Sequence, residues 1–104
     1  MISKDLKVTN KLGLHARAAA KVVDIANKYK CEINLLKDDK KADARSIMKI
    51  LMLSASQGTQ IKVQIDGDNQ DDAMSSIEKL FNEKFNEEEW VSYLQVLEFL
   101  VVYA

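Results

Sequence analysis

The run Thr59-Gln60-Ile61-Lys62-Val63-Gln64-Ile65-Asp66 alternates polar and apolar residues with little error. A period of two places Ile61, Val63 and Ile65 on one face of a strand and leaves the other face to water. The chain must therefore build a sheet with one buried side. Gly67-Asp68-Asn69 turns the chain after that strand, and a last amphipathic helix follows, with Ala73, Met74, Ile77, Leu80, Phe81 and Phe85 as its apolar stripe. Asn69 is expected to cap this helix, and Asp71 and Asp72 in its first turn suit the positive end of the helix dipole.

Upstream, residues 2–8 alternate imperfectly and predict a short strand, and residues 16–28 carry Ala19, Val22, Val23, Ala26 and Tyr29 at three-and-four spacing. Residues 32–37 alternate again, Asp38-Asp39-Lys40-Lys41 supplies a polar turn, and residues 42–44 are able to pair back as a hairpin. Ser46 is suited to cap a helix over residues 47–53, and Gly58 is expected to end it in the left-handed conformation. The order βαββαβα allows every helix to lie on one side of a single antiparallel sheet, an α+β arrangement. A chain of 104 residues supports one such domain without staples.

A net charge of −1 and a pI near 5.8 argue against a nucleic-acid surface. Cys31 has no second thiol with which to pair, and Met1-Ile2-Ser3-Lys4-Asp5-Leu6 lacks the apolar run of a signal peptide, so a cytoplasmic location is expected. Asp66-Gly67-Asp68-Asn69 lacks the remaining ligand spacing of a calcium loop, and no metal or organic cofactor is expected.

The chemistry centres on Gly13-Leu14-His15-Ala16-Arg17, which places the single histidine where a loop becomes a helix. At a helix N-terminus the first N–H groups lack intrahelical acceptors and the dipole is positive, so an imidazolium is disfavoured and an anion is welcome. A neutral imidazole has a lone pair able to attack phosphorus. The phosphoryl group would then rest against the N–H groups of Ala16, Arg17 and Ala18, with the Arg17 guanidinium suited to its oxygens. An arbitrary His-x-Arg is ordinary surface decoration, because two residues of one site do not fix a chemistry.

The stretch Gly13-Leu14-His15-Ala16-Arg17-Ala18-Ala19-Ala20-Lys21 resembles the active-site segment of HPr-type phosphocarriers of the bacterial phosphotransferase system. The resemblance implies an open-faced sandwich, a four-stranded antiparallel sheet with three helices on one face. It also implies that His15 accepts phosphate through Nδ1 from an enzyme I-like donor and passes it to an EIIA-like acceptor. Sugar-transport members usually carry proline where this chain has Ala18, which is more similar to the nitrogen-related branch. Arg45-Ser46-Ile47-Met48 resembles the family's regulatory region, where a serine kinase acts on the residue corresponding to Ser46.

Ile47, Met48, Ile50, Leu51, Met52 and Leu53 surround the second helix, and one short helix on a sheet cannot bury them all. Ile47, Met48 and Leu51 are expected to form a docking face. The rival reading is therefore a regulatory protein-binding module whose affinity is set by phosphorylation. The resemblance covers residues 1–88, leaving 89–104 as an apolar extension. From Trp90 onward that extension is too short to span a bilayer comfortably, and it is expected to pack on the domain or to form a homodimer.

Overall fold

The computed structural model describes residues 1–87. The expected boundary at residue 88 and the extension 89–104 lie outside them. Four strands are present: β1 (Ile2–Lys7), β2 (Glu32–Lys37), β3 (Lys40–Asp43) and β4 (Gln60–Asp66). Three helices, α1 (Ala16–Ala26), α2 (Ile47–Leu51) and α3 (Gln70–Asn82), interleave with them, and a 3-10 turn over Lys84–Asn86 follows. The sheet order is β1-β4-β2-β3 and every pairing is antiparallel.

The period-two strand β4 is central. Its inward residues Ile61, Val63 and Ile65 stand opposite Leu6, Lys4 and Ile2 on one side, and Val63 and Ile65 face Leu35 and Ile33 on the other. Ile33, Leu35, Ile61, Val63 and Ile65 are fully buried beneath Val22, Ile50, Ile77, Phe81 and Phe85 from the helical layer. The imperfect alternation of β1 has a physical cause. Lys4 occupies a core-face position on an edge strand and reaches Glu78 of α3 through a 2.7 Å ion pair. An inward-pointing charge of this kind also discourages pairing of the open edge with another chain.

Four local expectations are corrected. The second helix ends at Leu51, two residues early, with Met52 as its cap, and the left-handed residue after it is Ser54 at φ 53°. Gly58 belongs instead to the turn entering β4, where its N–H donates to Val8 O. Lys37 fastens the chain just past that end, its ammonium donating to the carbonyls of Leu53 and Ser54 at 3.1 Å each. Asn69 does occupy the N-cap position of α3, but at φ 60° its side chain makes no capping hydrogen bond. The first helix is also shorter than its apolar spacing suggests, closing at Ala26 in a turn that continues through Tyr29.

Arg45 fastens that turn. Its Nη2 donates to the carbonyls of Ala26, Tyr29 and Cys31 at 2.8, 2.7 and 2.9 Å. A cation at a helix C-terminus satisfies carbonyls that have no intrahelical donor and complements the dipole. No helix among the described residues is long and apolar enough to cross a membrane.

Candidate functional site

His15 is the N-cap of α1, with extended backbone at φ −84° and ψ −176°. Its Nδ1 accepts the backbone N–H of Arg17 at 3.2 Å. An imidazole that accepts at Nδ1 carries its proton at Nε2, which fixes the neutral tautomer. Partial burial pushes the His15 pKa below its ordinary value, against an opposing pull from the Glu87 carboxylate, and the Arg17 guanidinium lowers it further. The side chain is thus neutral at pH 7 with a lone pair directed at the helix start.

The loop before His15 is held from several directions. The Asn10 side chain, itself buried, donates to Gly13 O at 2.8 Å, and Gly13 N–H returns to Asn10 O at 3.3 Å. Leu14 N–H donates to Ala55 O at 2.9 Å, which joins this loop to the chain leaving α2. Gly13 sits at φ 68°, and a Cβ built there would stand 2.4 Å from Ala55 O. Only glycine lets the two backbones approach this closely. From the far end of the described chain, the carboxylate of Glu87 accepts the N–H groups of Lys11 and Leu12 at 2.8 Å each, while the residue is only 5% exposed.

The helix start brings together Ala16, Arg17 and Ala18, whose N–H groups belong to the first turn of α1, where no preceding helical carbonyl is available to them. The Arg17 side chain is exposed and Ala18 is fully buried. Ser46 is the N-cap of α2, its hydroxyl accepting Lys49 N–H at 3.2 Å. Of the expected docking residues, Ile47 and Met48 are exposed, but Leu51 is half-buried and packs on the core. Met52 is the exposed side chain in its stead, and Leu12 adds a further exposed apolar group three residues before His15.

A family described as "PTS HPr component phosphorylation site" matches residues 2–83. The chain belongs to the HPr family. It is 46% identical over 88 residues to the phosphocarrier protein HPr of Xylella fastidiosa, covering 85% of this chain and 99% of that one. The HPr of Pseudomonas putida is 41% identical over 90 residues, covering 86% and 100%. Among solved structures, an HPr from Thermoanaerobacter tengcongensis superposes with a TM-score of 0.79 at 40% identity, covering 83% of this chain and 97% of the other. As a member of this family the chain is a phosphocarrier of the phosphotransferase system, and its sheet and helices have the HPr arrangement.

Glu87, Asn10 and Arg45 are structural supports to which sequence reasoning assigned no such bonds. The first two are polar side chains buried within this site. No periodicity marks such residues, because their partners are backbone groups distant in the chain or in a loop.

Proposed function

We propose that His15 is the carrier residue, taking a phosphoryl group from a phosphohistidine on an enzyme I-like donor and surrendering it to a histidine on an EIIA-like acceptor. The observation that carries this reading is the orientation of Nδ1 toward the Arg17 N–H. The Nδ1 lone pair forms the new N–P bond as the donor's N–P bond breaks, and that bonding pair returns to the donor nitrogen. The proton on Nε2 stays in place. The N–H that the imidazole held then turns to a phosphoryl oxygen, joined by neighbouring first-turn N–H groups and the Arg17 fork. Charge that develops on the transferring group meets donors already in position. The second transfer reverses the same movements.

Exposed Ile47, Met48 and Met52 favour a second role, docking of protein partners, with Leu12 adjoining the nucleophile. A phosphate on Ser46 would add charge beside that surface and act on docking more than on the fold. Ala18 supports the nitrogen-related branch, and a cytoplasmic location suits partners of this kind. Self-association through residues 90–104 belongs to the same reading.

The test is incubation with phosphoenolpyruvate and an enzyme I or its nitrogen-branch counterpart, followed by mass measurement. An acid-labile phosphate is expected on His15, and none on His15→Ala. Normal phosphorylation of that variant refutes the assignment. Partner binding that survives in His15→Ala but fails in Met48→Asp would establish docking as the separable second role.

A further inference from the structure

The Glu87 carboxylate is a charged group buried beside a site that must receive more negative charge. Burying a carboxylate without compensation is costly, and here both oxygens are compensated by the amides of Lys11 and Leu12. Two hydrogen bonds to successive N–H groups fix the plane and path of the backbone just ahead of Gly13. They also connect the end of the described chain to a loop at its beginning. His15 receives its orientation from that loop, since Gly13 O accepts both His15 N–H, at 3.0 Å, and the Asn10 side chain.

We propose that Glu87 is a positioning residue for phosphoryl transfer at His15, its carboxylate holding the Lys11 and Leu12 amides so that the loop delivers the imidazole to the start of α1. This rests on His15 being the carrier. The carboxylate does not touch the transferring group. It acts through the loop. The same carboxylate is the influence that opposes the lowering of the His15 pKa.

The experiment compares the full-length protein with Glu87→Gln and Glu87→Ala. Glutamine keeps the shape and one acceptor but loses the charge and one oxygen acceptor. Phosphorylation by an enzyme I-type donor is followed at saturating donor. His15 is titrated by NMR, and exchange of the Lys11 and Leu12 amides is measured on the same samples.

The expected result for Glu87→Gln is a maximal rate lower by about tenfold to a hundredfold, the scale on which misplacement of a reacting group acts. It comes with faster exchange at the two amides and a lower His15 pKa. If Glu87→Ala fails to fold, the glutamine variant alone decides. An unchanged rate in folded Glu87→Gln overturns the proposal. So does a rate loss that merely follows global stability while the amides and the His15 titration stay unmoved. Absence of phosphate on His15 in the unaltered protein removes the carrier assignment and this inference together. Phosphate there with an unaltered rate in Glu87→Gln removes this inference alone.

Discussion

Gly13→Ala is the substitution whose cost the geometry specifies most closely. At φ 68° an L-residue occupies the left-handed region, which costs roughly 1–2 kcal/mol. The new methyl would also stand 2.4 Å from Ala55 O and 3.0 Å from Ser56 Cα. Both are backbone atoms, so no rotamer relieves the overlap and the loop must move. Movement weakens the 2.9 Å bond from Leu14 N–H to Ala55 O, and a hydrogen bond of this kind contributes about 0.5–1.5 kcal/mol. Together these give a destabilisation of about 1.5–3.5 kcal/mol, or a melting temperature lower by on the order of 10–20 °C for a domain of this size. Gly58→Ala is the internal control. Gly58 has φ 91° but nothing within 4 Å of a Cβ, so it carries backbone strain without overlap. Thermal unfolding followed by circular dichroism should place Gly13→Ala well below Gly58→Ala, and phosphate uptake should slow in the former only. Equal melting temperatures for the two variants would refute the close-approach argument.

Replacing Arg45 by Met should cost about 1–3 kcal/mol in denaturant unfolding, because the carbonyls of Ala26, Tyr29 and Cys31 lose one shared charged donor. Arg45→Lys should recover only part of that loss, and full recovery would show that charge alone suffices. The pH dependence follows from the depressed His15 pKa. Between that value and the ordinary 6.5 the unfolded chain binds the extra proton, so stability rises with pH across this window and falls as pH drops through it. The rate of phosphate uptake should fall in the same direction as Nδ1 becomes protonated. His15→Ala should flatten the stability contribution, measured as the difference in unfolding free energy between buffers on either side of the window.

The parts of the fold written in periodic pattern were legible in the sequence. Ile61, Val63 and Ile65 declared a one-sided strand, and the stripe from Ala73 to Phe81 declared the helix that covers it. The helix start at His15 was legible because Gly13 and the uninterrupted helix formers after it bracket the position. The end of α2 was not, since apolar Met52 and Leu53 continue the composition of a helix that has already stopped. Past that stop the chain is held by Lys37, which donates to the Leu53 and Ser54 carbonyls from another element. Lys4 looked like a flaw in an alternating strand because its partner Glu78 lies on α3. Leu51 and Met52 exchanged places for a related reason: where every position is apolar, only the direction of packing separates buried from exposed. Glu87 was hidden most fully, as one acidic residue in an acidic stretch whose role depends on two amides at the opposite end of the chain.

The antiparallel partner of β1 is β4, and the loop carrying His15 is fastened by Ala55 and Glu87. The fastenings from Ala55 and Glu87 span a large separation along the chain, and contacts of that kind must offset loop-closure entropy before they stabilise anything. On a ribosome the motif around His15 emerges early, Ala55 follows later, and Glu87 is the last described residue to be made. The growing chain displays His15 long before the loop ahead of it is fully fastened. Phosphoryl acceptance is consequently a property of the finished domain, and a fragment bearing the motif alone should offer a partner's phosphohistidine nothing more than an ordinary imidazole.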